Sequence, residues 1–94
     1  MKDYIGKASA IVEDRGAAYG SPSGNHGCTA ELWNAFLRRK HGVSIELTPR
    51  DVCTLMVLQK VSRDAFMPKD DNWIDVIGYA ANVGMIEDDK EGDA

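Results

Sequence analysis

Cysteine is scarce in this chain: Cys28 and Cys53 are the two it has. They form no Cys-x-x-Cys pair and no histidine cluster accompanies them at zinc spacing, so neither a disulfide framework nor a zinc site is implied. The expectation is two inert thiols in a reducing compartment. Long apolar runs are missing as well. No stretch approaches the ~20 residues that span a bilayer, and Met1-Lys2-Asp3-Tyr4 opens on no apolar signal region. A cytoplasmic protein without membrane contact is expected. A charge excess of one sign is absent from most of the chain. The formal net charge of −4 is carried by the last eight residues, where Glu87, Asp88, Asp89, Glu91 and Asp93 stand against Lys90. Residues 1–86 are therefore formally neutral and lack the basic face that a nucleic-acid polymer requires. Residues 87–94 read as an acidic tail fraying into solvent beyond a domain of residues 1–86.

What is present is helical patterning. Ninety-four residues, 44 % of them hydrophobic, make one domain. A chain this short buries only about 60–65 % of its unfolded surface, so a homo-oligomer that adds buried area is expected. Tyr4, Ile5, Ala8, Ile11 and Val12 lie on one helical face. That helix starts at an Asp3 N-cap and is predicted to end near Arg15-Gly16. Tyr19 to Gly24 reads as a turn throughout. A second helix is predicted from Asn25 or His26 to Lys40, burying Thr29, Trp33, Phe36 and Leu37, with Arg38-Arg39-Lys40 at its C-terminus and His41-Gly42 closing it. Val43 to Leu47 alternates, but without a partner strand it reads as an extended link. Thr48-Pro49-Arg50-Asp51 combines an N-cap hydroxyl, a first-turn proline and an acid at the third position. The helix it opens, to about Phe66, is apolar nearly all round and so predicted to be central and buried. After Met67-Pro68-Lys69, Asp70 or Asp71 caps a fourth helix running to about Glu87. The fold expected is all-α: a compact bundle of about four helices.

Two places carry candidate chemistry. Lys60 lies amid the apolar positions of the third helix, and Arg63 shares its face three residues on. Asp71 and Asp75, four apart, share a face of the fourth, and Asp75 is flanked by Trp73, Ile74, Val76 and Ile77. Buried charge needs a mate or a task. These residues read either as an ion-pair network joining the two helices or as the floor of a pocket whose cations face a ligand phosphate. The second place is the glycine-rich stretch from Arg15 to His26. Arg15, Tyr19, Asn25 and His26 bring a guanidinium, an aromatic plate, an amide and an imidazole, a set suited to a base, a ribose and a phosphate. Gly78, inside the fourth helix, reads as permitting close approach of another helix, within the fold or across a dimer.

Taken in order, Asp14-Arg15, Tyr19-Gly20, Pro22, Asn25, Leu32-Trp33, Thr48-Pro49-Arg50-Asp51-Val52, Lys60-Val61-Ser62-Arg63 and the run from Asp71 to Ala81 resemble a family of small phage and prophage proteins described as a domain of unknown function. More distantly, the last two helices resemble a phage domain associated with nucleotide modification. Through it they resemble the MazG-like all-α nucleoside triphosphate pyrophosphohydrolases. The resemblance implies an often oligomeric helical bundle in phage nucleotide metabolism, working inside an infected bacterium, with Lys60, Arg63, Asp71 and Asp75 matching the charged signature. MazG-type enzymes hold magnesium with a Glu-Glu-x-x-Glu helix and a Glu-x-x-Asp pair. Here the oxygen donors reduce to Glu31, Asp71 and Asp75, a thin set for a catalytic cation. Three functions follow as expectations. One is a non-catalytic binder of a nucleotide or nucleotide-derived ligand that sequesters a host immune signal. Another is a magnesium-dependent pyrophosphohydrolase. The third is a helical module that binds a host protein.

Overall fold

The first three helices each begin where a side chain takes up free backbone donors. In the computed structural model, which describes residues 1–93, α1 spans Tyr4–Tyr19, α2 Pro22–His41, α3 Pro49–Phe66 and α4 Asp70–Asp93. Asp3 caps α1, its Oδ1 accepting from Gly6 N at 2.9 Å. Ser21 caps α2 through Gly24 N at 3.1 Å, with Pro22 in the first turn. Thr48 and Asp51 form a reciprocal capping box on α3, Asp51 N donating to Thr48 Oγ1 and Thr48 N to Asp51 Oδ2. Asp64, from the last turns of α3, accepts from Lys69 N at 3.1 Å and from Asn72 Nδ2 at 3.2 Å, which ties the entry of α4 to α3.

Helix α4 is the hub. It packs along α1 on one side and α3 on the other, and α2 lies against α3 and α4. The buried apolar residues are Ala8, Ala30, Val52, Cys53, Ile74 and Ile86, drawn from all four helices and mostly small. Two glycines close helices with left-handed backbone that other residues rarely adopt: Gly20 (φ 85°) after α1 and Gly42 (φ 66°) after α2. Between α2 and α3 the link from Val43 to Leu47 forms neither helix nor strand. Asn34 holds it like a strand neighbour, donating to Leu47 O at 3.2 Å and accepting from Leu47 N at 2.8 Å.

Four expectations need correction. The stretch from Arg15 to His26 is not a long loop: α1 continues to Tyr19 and α2 begins at Pro22, leaving Gly20-Ser21 as the whole turn. The Ser21-Pro22 pair starts a helix here rather than a coil. Helix α4 does not stop near Glu87 but runs to Asp93. Glu87 meets Arg50 of α3 at 3.5 Å and Lys90 one turn on at 3.4 Å, and Ser23 of α2 donates to Asp89, so this acidic segment is helical and tethered. Ala94 lies outside the described residues. Helix α3 is not central. Val52 and Cys53 are buried, but Leu55, Leu58 and Val61 are exposed, because an all-round apolar helix has here only one side to bury. Of the α2 stripe, Thr29, Trp33 and Leu37 are half-buried while Phe36 faces out, and the residues fully buried in α2 are Pro22, His26 and Ala30. No helix among the described residues is long and apolar enough to cross a membrane.

Candidate functional site

The short Gly20-Ser21 turn folds the C-terminal half of α1 back beside the first turns of α2, and both lie over the middle of α4. Val12, Arg15 and Tyr19 come from α1, Pro22, Asn25 and His26 from α2, and Tyr79 and Asn82 from α4. Together they line a cleft of about 310 Å³. A narrower recess of about 30 Å³ shares Val12, Arg15, Tyr79 and Asn82 with it and reaches Asp75 and Gly78. On α4 the contributors follow helical spacing: Asp75, Gly78, Tyr79 and Asn82 stand at i, i+3, i+4 and i+7, one face of one helix.

The polar floor is His26 with Asn82. His26 is 7 % exposed, and its Nε2 lies 3.0 Å from Asn82 Nδ2. Burial lowers the pKa of this imidazole below its ordinary 6.5, because a charged ring would lose its hydration there. The neutral ring uses Nε2 to accept from the Asn82 amide and keeps its hydrogen on Nδ1. The ring of Tyr79 packs beside it, centroids 6.0 Å apart and tilted by 52°. Tyr19 and Arg15 are exposed at the rim, and among the described residues Arg15 has no carboxylate partner. Beneath the recess, Asp75 Oδ2 meets Lys60 Nζ at 3.0 Å, with side chains 16 % and 12 % exposed. This pair joins α3 to α4 and neutralises the one acid that borders the cleft.

The two sequence-predicted places thus become one. Arg15, Tyr19, Asn25 and His26 line the cleft, Asp75 borders it, and Lys60 backs Asp75. The rest lie elsewhere. Arg63 is exposed at the far end of α3, beside Phe66, Met67 and Lys69. Asp71 is exposed near Tyr4 and Trp73, in an open hollow whose other acids are already engaged. There Asp70 binds Lys2 Nζ and Tyr4 Oη, each at 2.6 Å, and Asp64 accepts from Lys69 N and Asn72 Nδ2. The Lys2 hydrogen bond holds the Asp70 carboxyl below the usual carboxylate range, with that of Tyr4 adding to it. Glu31 lies on a third surface, where α2 meets Leu47-Thr48-Pro49. The magnesium set of Glu31, Asp71 and Asp75 therefore does not assemble, since its members border three different hollows. Among the described residues no group of three or more His, Cys, Asp or Glu could hold a metal ion. An octahedral cation needs its oxygen donors within about 2.1 Å of one point, so these residues do not fit magnesium.

Sequence reasoning missed Val12, Tyr79 and Asn82. The signal was available: Asn82 is seven residues beyond Asp75 and three beyond Tyr79, so the face that carries Asp75 must carry them too. Gly78 meets α1 within the fold, an added Cβ lying 3.6 Å from Val12 Cγ2.

The gene 55 protein of Mycobacterium phage L5 is 38 % identical to this chain over 80 residues, covering 82 % of the chain and 45 % of the phage protein. The chain thus spans less than half the length of that relative. No solved structure matches it. The family model described as a domain of unknown function (DUF6378) matches residues 4–87, from the first residue of α1 through the whole α4 face of the cleft, and the chain belongs to that family.

Proposed function

We propose that the chain binds a nucleotide or a nucleotide-derived ligand in the cleft between α1, α2 and α4, and does so without turning it over. The observation that carries this reading is the convergence on one cleft of an uncompensated guanidinium, two tyrosines and a neutral His26–Asn82 pair. A phosphate meets Arg15, which forms planar two-point hydrogen bonds to such groups. A base lies against Tyr19 or Tyr79, and its edge finds donors and acceptors in Asn25, His26 and Asn82. A volume of about 310 Å³ sits at the small end of ligand pockets, the scale of a mononucleotide or of one nucleoside unit of a larger messenger. The acids of the sequence stand apart, and the one at the cleft is neutralised by Lys60, so binding needs no metal. A protein that holds a nucleotide without consuming it acts by removing it from circulation, a role suited to a phage-type protein facing a host signal.

Thermal-shift screening of the full chain with nucleoside mono-, di- and triphosphates, cyclic dinucleotides and ADP-ribose derivatives, with and without magnesium, tests this. A ligand at about a hundred times its Kd adds about 2.7 kcal/mol, a rise in melting temperature of roughly 10–20 °C for a domain of this size. The rise is expected without magnesium, is lost in Arg15→Ala, and persists in Arg63→Ala. A response abolished by Arg63→Ala but kept by Arg15→Ala moves the site to the α3–α4 corner. Magnesium-dependent release of pyrophosphate makes the protein an enzyme and overturns the proposal.

A further inference from the structure

The outward side of α3 carries Leu55, Leu58, Val61, Ser62, Ala65 and Phe66, on the side of the helix turned away from Lys60 and α4. All six are exposed. Leu55, Leu58, Ser62 and Ala65 are spaced by three, four and three residues, the repeat of a helix–helix seam. No charged side chain interrupts that stripe between Thr54 and Phe66: Lys60, Arg63 and Asp64 fall on other sides of the helix. A solvated helix face normally carries charges there.

From this stripe we infer that the outer face of α3 pairs with α3 of a second copy of the chain, antiparallel about a two-fold axis near residue 60. Self-complementarity points to that occupant. Antiparallel pairing about residue 60 sets Leu55 opposite Ala65 and Leu58 opposite Ser62, a large side chain against a small one at every level. The surface area agrees. The chain exposes 6671 Å², whereas a compact monomer of its 10.3 kDa mass exposes about 5,400 Å². The surplus, roughly 1,300 Å², is spread over the whole chain, and the outer face of α3, with Leu58 58 % and Phe66 89 % exposed, contributes to it. The shape is correspondingly flat, 46 × 37 × 21 Å. Its radius of gyration of 14.5 Å exceeds the roughly 12.4 Å of a compact domain of this length. This pairing is independent of the nucleotide reading, since the seam and the cleft lie on different sides of the molecule.

Light scattering coupled to gel filtration of the full chain is the test, with a mass twice that of the chain expected. Leu58→Arg, at a position 58 % exposed, is expected to give a monomer with unchanged helical circular dichroism. Leu32→Arg, at a position 65 % exposed on α2, keeps the dimer. Register is read with Leu55→Cys/Ala65→Cys in a Cys28→Ser background. Mild oxidation of that variant joins residue 55 of one copy to residue 65 of the other. A wild-type chain that stays monomeric over the whole concentration range overturns the inference. So does a dimer that survives Leu58→Arg or one dissolved by Leu32→Arg alone, and cross-linking of 65 to 65 refutes the antiparallel register.

Discussion

The Lys60–Asp75 pair allows a measurement in which removing two charges is expected to do less harm than removing one. The charged atoms are 3.0 Å apart, and the side chains are 12 % and 16 % exposed. At an effective dielectric of about 20, unit charges at this distance attract by roughly 5–6 kcal/mol, and most of that offsets the hydration both ions gave up. Taking away one partner forfeits the attraction and leaves the other ion poorly hydrated. In a fully buried pair this costs about 3–5 kcal/mol. The residual water contact here reduces it to about 2 kcal/mol for Lys60→Met and for Asp75→Leu separately. The double variant has no stranded charge and fills the gap between α3 and α4 with hydrocarbon, so its loss is expected to be about 1 kcal/mol or less.

Urea unfolding followed by far-ultraviolet circular dichroism gives the three values. All samples are held at one protein concentration, because any self-association would make apparent stability concentration-dependent. The expected coupling, the double variant's loss minus the sum of the two single losses, is about 3 kcal/mol in magnitude. If the double variant loses as much as both singles together, the two ions act independently and the pair does not join the helices. Single losses below about 0.5 kcal/mol would show both side chains to be solvated.

Two further outcomes follow from the caps and the floor of the cleft. The pKa of His26 is lowered by burial from 6.5. Its contribution to stability is therefore complete above pH 6.5 and declines as pH falls below it, where the unfolded chain takes up a proton that the fold refuses. Melting temperatures across that range show the decline in the wild type, and His26→Gln, which keeps an acceptor for Asn82, flattens it. Thr48→Ala removes one half of the capping box on α3 and is expected to cost about 1 kcal/mol in urea unfolding. Thr48→Ser is expected to recover most of it.

How much of this was legible in the sequence depended on whether the governing interaction was local. The Asp3 cap, the Thr48–Asp51 box and the Gly42 terminus are set by residues within four positions of one another, and each stands where the residues put it. The turn at Gly20-Ser21 was misjudged because Gly16, Gly20 and Gly24 look like breaks. Whether a glycine ends a helix depends on the backbone it adopts, and of these three only Gly20 has a positive φ. The extent of α4 was misjudged because the acids from Glu87 to Asp93 suggest repulsion, while Arg50 and Ser23, far off in sequence, reach over to meet them. Lys60 and Asp75 were identified as ions in need of partners, which burial alone requires. That Arg63, three residues from Lys60, is exposed depends on how α4 lies along α3, and no local pattern encodes it. The cleft itself was visible as two halves, Arg15 to His26 and Asp75. What united them was the brevity of the α1–α2 turn.

Gly78 and Gly84 separate stability from function within one helix. Both interrupt α4, where glycine costs about 0.5–1 kcal/mol relative to alanine. At Gly84 an added Cβ has no neighbour within 4 Å, so Gly84→Ala is expected to stabilise the protein by that amount and to leave ligand binding alone. At Gly78 the same Cβ lies 3.6 Å from Val12 Cγ2, ordinary contact, so sterics within the fold do not demand glycine. Gly78 instead borders the recess of about 30 Å³ that leads from the cleft to Asp75, a space small enough for an added methyl group to narrow. Gly78→Ala is therefore expected to raise stability like Gly84→Ala while narrowing the recess and weakening the nucleotide-induced thermal shift. Equal stabilisation with an undiminished ligand response would show that the recess plays no part in binding. A loss of stability in Gly78→Ala would show that α1 and α4 lie closer than a methyl group allows.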